Sequence, residues 1–278
     1  MTRCSPFPSA TGQIRERTWY GEQGMQHVRT IKSPKQSIPT FKETIELLMK
    51  VRPAFTSFAY LSSHPNVSHL QPENQHVKFN VDVKVENSPD RLFKLMNDII
   101  TSQADWETTL APRILLGLWH PRFLTFAKHR LPYCRRSYIG NSITIARKYF
   151  WNDCHTFSIA FAALTTADGQ KFREECKAAG KNIMVWTVNE PAHMMEAVRW
   201  GVSVIITDAT KTWLDLRAAL HNDYEKMVTK YGRLFLWTPQ FYSPILMFQR
   251  RLDRFTLERV AGPFDDFLAS KSIVELKV

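Results

Sequence analysis

Long hydrophobic runs are missing from this 278-residue sequence. No stretch of about 18 apolar residues occurs, and the first residues lack the apolar core of a signal peptide, so we expect neither a transmembrane helix nor a secretory leader. The four cysteines form no C-x-x-C pair, which argues against a zinc site or a disulfide scaffold and favours a reducing compartment.

Glycine is scarce, at 10 residues, and no Gly-rich phosphate loop, H-E-x-x-H or G-x-S-x-G motif occurs. These absences exclude dinucleotide dehydrogenases, P-loop enzymes, zincins and α/β-hydrolases as first interpretations.

Acidic residues are outnumbered by basic ones, 26 to 37, which gives a formal net charge of +11. Such an excess favours a polyanionic partner: nucleic acid, anionic lipid or a phosphorylated substrate. The Lys and Arg residues are dispersed and form no basic–aromatic recognition motif, so nucleic acid is the weakest of the three and is not expected. The proportions of hydrophobic residues, 44%, and of charged residues, 23%, are those of a globular protein and exclude wholesale disorder.

Strand and helix patterns alternate along most of the chain. The first helix begins after Thr40, which forms a capping box with Glu43. Residues 77–85 then alternate strictly between apolar and polar, as in a strand with two different faces. Five more strands, each followed by a helix, are predicted at 114–119, 136–143, 155–161, 183–188 and 202–206. This alternation predicts an α/β fold with a parallel sheet, either a barrel or an open doubly wound sheet, with function at the carboxyl ends of the strands.

The polar face of the strand at 77–85 is the first candidate site. Asn80, Asp82 and Lys84 share this face. A carboxylate and an ammonium two residues apart, near the carboxyl end of a strand, suit a metal ligand beside a phosphate-binding cation. A half-exposed strand with a solvated polar face explains the same pattern equally well.

Other polar and aromatic residues lie at the ends of later strands. Trp186 and Asn189 flank the end of one strand, and Asp208 ends the next. A Trp at such a place either walls a pocket or, more often, belongs to the core. An Asp at a strand–helix junction is more typical of a helix N-cap than of a catalyst. We expect His120 and His155, at strand edges, to be structural.

Several motifs in sequential order resemble the glycerophosphodiester phosphodiesterase family. Residues 185–189, VWTVN, and 201–208, GVSVIITD, resemble the W-T-V-N and G-V-D-x-I-I-T-D segments that close this family's domain. Residues 79–84, FNVDVK, resemble its N-I-E-I-K strand with Asp in place of Glu. Further similarities lie at residues 11–14, 19 and 38–43, and the detailed fit at 110–113 and 119–122 resembles most closely the fungal branch that includes phosphatidylglycerol-specific phospholipase C.

The resemblance implies an incomplete TIM (β/α)8 barrel of about six βα units, with the first two strands absent. It divides the chain into a remnant at 1–37, the incomplete barrel at 38–221 and a basic, aromatic tail at 222–278. It also implies a phosphoric diester hydrolase that acts on a glycerophospholipid or a glycerophosphodiester with a divalent metal, Mg²⁺ or Ca²⁺.

The resemblance also carries roles onto matching positions. Asp82 takes the place of a metal carboxylate, and Lys84 that of the lysine near the phosphate. Trp186 takes a place at the substrate mouth, while Asn189 and Asp208 match positions with supporting roles in substrate binding.

The family's H-R-G, E-x-D and H-D motifs are missing, and the first 26 residues contain no His. In the family these motifs supply two catalytic His, a phosphate-binding Arg and two metal carboxylates. Two interpretations follow. The chain is an incomplete gene product whose remaining strands are encoded upstream, or it is a degenerate relative that binds lipid or phosphodiester without hydrolysing it.

The tail is rich in apolar and aromatic residues at 234–237 and 241–248, and arginines flank these segments. Aromatic residues flanked by Arg suit the interface of an anionic membrane. The tail therefore either packs back on the barrel or docks on such a membrane through residues 233–254. We expect a cytoplasmic protein, free or peripheral to an intracellular membrane or lipid droplet.

Overall fold

The structure, a computed structural model, describes residues 25–29, 33–49, 77–232 and 243–267. The chain divides into two compact units, residues 1–76 and residues 77–278. The resemblance at residues 11–14 and 19, and most of the loop predicted after the first helix, lie outside the described residues.

The first unit contains the predicted helix, α1 (Phe41–Met49). Its start is the predicted capping box: the Thr40 amide donates to Glu43 Oε2 at 2.7 Å, and the Glu43 amide donates to Thr40 Oγ1 at 3.2 Å. These bonds occupy backbone N–H groups that would otherwise have no partner in the first turn. They also hold the pKa of the Glu43 carboxyl below its usual value. Ile45 and Leu48 form the buried side of the helix.

The second unit is built on a parallel sheet of six strands that lie side by side in chain order. The strands are β1 (Phe79–Val83), β2 (Ile114–Leu118), β3 (Arg135–Gly140), β4 (Thr156–Ala160), β5 (Asn182–Trp186) and β6 (Val204–Ile205). A doubly wound sheet reverses its strand order at a switch point, whereas a TIM barrel keeps chain order. The unbroken order therefore confirms the incomplete barrel and rules out the open doubly wound alternative.

Helices alternate with these strands. Those of the second unit are α2 (Pro89–Thr101), α3 (Trp106–Thr109), α4 (Arg122–Arg130), α5 (Ile143–Ile145, continued by a π turn, Ala146–Phe150), α6 (Phe161–Leu164), α7 (Ala167–Ala178), α8 (Pro191–Arg199), α9 (Thr210–Asn222), α10 (Tyr224–Lys230) and α11 (Ser243–Ala261). None of the helices in the described part of the chain is both long and apolar enough to cross a bilayer.

Several element bounds differ from the sequence-based expectation. The third strand ends at Gly140 and not at Ile143, because the Ser142 hydroxyl accepts a hydrogen bond from the Ile145 amide and caps α5 there. The sequence also gave no sign of α10 or α11, which lie in the tail.

The two faces of the sheet have different compositions. One face packs against helices and is fully buried, for example at Leu116, Phe157 and Val185. The other face points into the barrel interior. On this face the strand register places Asp82 of β1 beside Gly117 of β2. Because side chains alternate along a strand, the interior face ends at the carboxyl edge of the sheet in polar and aromatic residues.

Candidate functional site

The carboxyl ends of β1, β2 and β5 bring four side chains together: Asp82, Lys84, Trp119 and Trp186. We call them the strand-end cluster. Asp82 is paired in register with Gly117, so Trp119, two residues further along the chain, lies on the same face one step beyond Asp82. Lys84 lies two residues beyond Asp82 on this same face. The predicted residues Asp82, Lys84 and Trp186 thus lie in one cluster, and Trp119 connects them.

Asp82 is the centre of the cluster. Its Oδ1 accepts a hydrogen bond from Trp119 Nε1 at 2.7 Å, and its Oδ2 accepts one from Lys84 Nζ at 2.6 Å. Lys84 Nζ also lies 5.2 Å from the centroid of the Trp119 ring. The side chain of Lys84 is 58% exposed and that of Asp82 is 38% exposed. An ion pair this exposed is worth at most about 1 kcal/mol, so the ammonium can exchange the carboxylate for a phosphate oxygen at little cost.

Trp186 forms the far wall of the cluster. Its Nε1 donates to the carbonyl oxygen of Ser158 at 3.0 Å, which fixes the orientation of the ring. The centroids of the Trp186 and Trp119 rings are 5.8 Å apart, in an edge-on arrangement. Trp186 is half-buried, and it therefore presents part of its ring to the space above the strand ends.

The two Trp rings border a cavity of about 410 Å³. Asn141, which follows β3, lines it as well, and three residues of α11 close its outer side: Asp253, Thr256 and Leu257. The Asn141 side-chain amide donates to the Asp253 carboxylate. A cavity of this size with aromatic walls and a few polar groups is typical of a small-molecule site.

Sequence reasoning did not select Trp119, Asn141 or Asp253. Trp119 could have been found, because it is the last residue of the strand predicted at 114–119. Asn141 could not, because it lies inside the strand predicted at 136–143. Asp253 could not, since only the tertiary position of α11 brings it to the strand ends.

The other two predicted residues, Asn189 and Asp208, form a separate network with Thr207, which we call the β5–β6 brace. Asn189 Oδ1 accepts hydrogen bonds from Thr207 Oγ1 at 3.0 Å and from the Asp208 amide at 2.8 Å. Asn189 Nδ2 donates to Asp208 Oδ2 at 3.5 Å, the outer limit for such a bond. The N-cap of α9 is Ala209, so the interpretation of Asp208 as an N-cap is wrong. The network ties the segment after β5 to the segment after β6.

A divalent metal at Asp82 is not supported by the side chains around it. Both carboxylate oxygens already accept hydrogen bonds from Lys84 and Trp119. No group of three or more His, Cys, Asp or Glu side chains in the described residues is arranged to hold a metal ion. These residues therefore do not fit a metal centre by themselves.

His120, Cys134 and Cys176 do not offer reactive groups. His120 is fully buried, and its Nδ1 accepts a hydrogen bond from the Arg122 amide at 3.1 Å. The proton is therefore on Nε2, which donates to the Gly262 carbonyl at 2.9 Å. Burial lowers the pKa of His120 to about 4 and raises the pKa of the Cys134 and Cys176 thiols to about 12. All three are neutral near pH 7, and His120 has a structural role, as expected.

The tail packs back on the barrel in its described part. The His120 ring lies 4.3 Å from the ring of Phe264, which is fully buried, and 5.4 Å from that of Phe267. Tyr149 Oη donates to Asp265 Oδ1 at 2.6 Å. Residues 233–242 of the predicted membrane segment lie outside the described residues.

Comparison with known proteins identifies a family. The model of the glycerophosphoryl diester phosphodiesterase family matches residues 12–212. No curated protein matches the chain. Among solved structures, a glycerophosphoryl diester phosphodiesterase from Parabacteroides distasonis ATCC 8503 is 13% identical, with a TM-score of 0.49 over 76% of this chain and 67% of its own.

Two further solved structures are similar over a smaller part. A phosphodiesterase from Oleispira antarctica, in complex with the product sn-glycerol-3-phosphate, is 15% identical, with a TM-score of 0.39 over 47% of this chain and 50% of its own. A glycerophosphodiester phosphodiesterase from Thermotoga maritima is 13% identical, with a TM-score of 0.37 over 51% of this chain and 57% of its own. The chain thus spans about half the length of these two proteins. The assignment rests on the family model, which covers most of the chain: the chain belongs to the glycerophosphoryl diester phosphodiesterase family.

Proposed function

We propose that this protein is a phosphoric diester hydrolase that acts on a glycerophosphodiester or a glycerophospholipid, and that the strand-end cluster holds its substrate. The observation that carries the proposal is the exposed Lys84 ammonium between Asp82 and the Trp119 ring, at the carboxyl edge of a family barrel. Catalytic and binding groups of TIM barrels lie at this edge.

Each group of the cluster has a task in this proposal. Lys84 Nζ binds a phosphate oxygen of the diester by a charge-assisted hydrogen bond. The Trp119 and Trp186 rings pack along the glycerol carbons and exclude water from one side of the phosphate. Asp82 orients Trp119 and Lys84 and keeps both near the phosphate. Asn189 and Asp208 support the site at a distance, by fixing the segment that follows Trp186.

The proposal also includes the preferred lipid and the location of the enzyme in the cell. The sequence at 110–113 and 119–122 is similar to the fungal phosphatidylglycerol-specific phospholipase C branch, which makes phosphatidylglycerol the first lipid to test. A cytoplasmic enzyme at an intracellular membrane or a lipid droplet would meet this lipid.

The resemblance includes a divalent metal, Mg²⁺ or Ca²⁺, at Asp82. The described residues bring one carboxylate to this point and do not fit a metal centre by themselves. We therefore assign no step to a metal, and its involvement is decided by assays with each ion and with a chelator.

A second candidate function is a lipid- or phosphodiester-binding protein without turnover. It is favoured by the absence of the H-R-G, E-x-D and H-D motifs from the sequence. General acid–base groups typically contribute about 10²–10⁴-fold each, so a chain without the two His of these motifs would bind substrate and leave it intact.

Hydrolysis and binding assays on the full chain distinguish the two functions. The substrates are glycerophosphoglycerol and phosphatidylglycerol, with Mg²⁺, Ca²⁺ or EDTA, and the ligand for binding is sn-glycerol 3-phosphate. Turnover that Lys84→Met lowers more than tenfold supports the hydrolase, whereas binding without turnover supports the second candidate.

A matched control for Lys84→Met is Lys211→Met on α9. Lys211 also forms an exposed ion pair with an Asp, at 2.9 Å to Asp215 Oδ2. It lies outside the strand-end cluster, and its loss should leave turnover and binding unchanged. If neither turnover nor binding occurs, or if the two Lys variants behave alike, the proposal fails.

A further inference from the structure

The outer face of α11 exposes large apolar side chains to solvent. Phe248, Leu252 and Phe255 are 68%, 52% and 63% exposed, and Met247 beside them is 55% exposed. Their spacing of four and then three residues places Phe248, Leu252 and Phe255 on one side of the helix. We call this side, with Arg251 and Arg259, the outer face of α11.

The opposite side of α11 is fixed to the barrel, so the helix presents this face in a defined orientation. Arg254 donates to Glu258 Oε1 from Nε at 3.0 Å and from Nη2 at 2.9 Å. The same Glu258 oxygen accepts a hydrogen bond from the Phe264 amide at 3.1 Å. Ala261 and Phe264 are buried. Those bonds lie within the helix and the segment that follows it. The helix is attached to the barrel by the hydrogen bond from Asn141 to Asp253 and, just after its last turn, by the bond from His120 Nε2 to the Gly262 carbonyl. Turning the apolar side chains inward would break the bond between Asn141 and Asp253.

The outer face is also positively charged. Arg251 and Arg259 are exposed, and neither makes a hydrogen bond or an ion pair with another described residue. Aromatic and aliphatic side chains interleaved with Arg suit the boundary between anionic head groups and acyl chains. A second copy of the chain is a poor occupant, since symmetric pairing would bring like charges together.

We infer that the outer face of α11 docks on an anionic phospholipid bilayer. The inference rests on the proposed lipid substrate and deepens it, because the inner side of the same helix lines the cavity through Asp253, Thr256 and Leu257. A docked α11 holds the cavity beside the Trp119 and Trp186 rings at the lipid surface. A phospholipid then reaches the strand ends without leaving the membrane entirely.

Vesicle sedimentation with the full chain tests the inference. The probes are vesicles of phosphatidylglycerol and of phosphatidylcholine. We expect binding to the anionic vesicles that weakens with salt, and weaker binding to the neutral ones. The double variant Phe248→Glu/Phe255→Glu should lose more than tenfold in affinity for phosphatidylglycerol vesicles, because it replaces aromatic area that the bilayer would bury with charges that the head groups repel.

Leu95→Glu and Leu214→Glu are matched controls, since these leucines are 52% and 48% exposed on α2 and α9. Both variants should bind vesicles like the parent chain. The variant Arg251→Gln/Arg259→Gln should bind phosphatidylglycerol vesicles more weakly and with a smaller salt dependence.

Other outcomes overturn the inference. These are equal binding by the Phe248→Glu/Phe255→Glu variant and the parent, equal losses in the leucine controls, or no vesicle binding at all. A dimer in solution that this double variant dissociates, without vesicle binding, would assign the face to a second copy. Failure of the proposed function is separate: Lys84→Met should keep full vesicle binding, whereas it should lose binding of sn-glycerol 3-phosphate.

Discussion

The strand-end cluster and the β5–β6 brace lie at the same edge of one sheet, yet their polar groups are used differently. In the brace, one oxygen of Asn189 accepts two hydrogen bonds from the neighbouring segment, from Thr207 and the Asp208 amide. In the cluster, Lys84 and Asp82 face the space beside two Trp rings, and their exposed pairing is weak.

This difference indicates that the brace supports the fold, whereas the cluster is available to bind a ligand. The brace bonds the Asn189 side chain to a backbone amide of the next segment, so it holds that segment in place although Asn189 and Asp208 are themselves exposed. The bonds of Asp82 to Lys84 and Trp119 join side chains only, so these groups can change partners without moving the backbone. We therefore expect changes in the cluster to alter ligand binding, and changes in the brace to alter stability.

The largest effect should come from the His120 anchor, which joins the cavity side of the barrel to the tail. Its pKa is about 4 in the fold against an ordinary value of 6.5, because burial disfavours the charged ring. Above pH 6.5 the His120 ring is neutral in both the folded and the unfolded chain, so its burial does not lower the free energy of unfolding. As the pH falls from 6.5 to 4, the unfolded chain takes up the proton first, and folding stability drops by up to about 3 kcal/mol.

Urea denaturation at pH 7 and pH 4.5 measures this drop. Glu258 and Arg122 also act on the ring, in opposite directions, so the variant His120→Gln is the reference. Gln keeps a donor for the Gly262 carbonyl and does not titrate, and its loss between the two pH values should be smaller. An equal loss in parent and variant would show that other groups cause it.

The next effect concerns the cluster. Lys84→Met should weaken binding of sn-glycerol 3-phosphate about tenfold to a hundredfold, since a hydrogen bond to a charged group is worth about 1.5–3 kcal/mol. Stability should change little, because the side chain is 58% exposed. Titration calorimetry measures the first quantity and thermal unfolding the second. A large stability loss with unchanged binding would reverse the roles of the cluster and the brace.

The brace should respond in the opposite way. Asn189→Ala removes the acceptor for Thr207 and for the Asp208 amide, and should cost about 1 kcal/mol of stability. Binding of sn-glycerol 3-phosphate should stay within twofold of the parent. Denaturant unfolding and calorimetry on the same variant check both statements, and a tenfold loss of affinity would place Asn189 in the binding site.

The smallest effect should come from Trp119→Phe. The ring remains as a wall of the cavity, but the 2.7 Å hydrogen bond to Asp82 is lost. We expect a few-fold loss of affinity for sn-glycerol 3-phosphate, because Asp82 and Lys84 become less well oriented. Trp186→Phe is the comparison, since it removes a bond to a backbone carbonyl instead. It should affect affinity less, and the reverse order would argue against Asp82 as the organising residue.

Much of the barrel follows from local patterns. Each of the six strands is a short apolar or alternating run followed by a helix signal, and neither depends on distant residues. The alternation of apolar and polar residues in 77–85 predicted that Asp82 and Lys84 lie on the same face of this strand. The ion pair between them was not predicted, since the pattern suited a metal ligand beside a phosphate-binding cation or a solvated face.

What the sequence did not reveal depends on tertiary contacts. The end of β3 depends on one Ser142 cap, and the role of Trp119 depends on the register between β1 and β2. The position of Asp253 at the cavity depends on the packing of α11, because Phe264, three residues after this helix, packs against His120, which is far away in the chain. Hydrophobic periodicity carries no information about such contacts.

The central claim is that the strand-end cluster binds the phosphodiester and the brace supports it. A nitrogen–proton NMR titration of the full chain with sn-glycerol 3-phosphate tests it most directly, because the indole N–H groups of Trp119 and Trp186 and the side-chain amide of Asn189 report on the two networks in one spectrum. We expect saturable shifts of both indole signals, an unmoved Asn189 amide, and loss of the shifts in Lys84→Met. Shifts of the Asn189 amide with unmoved indole signals would contradict it.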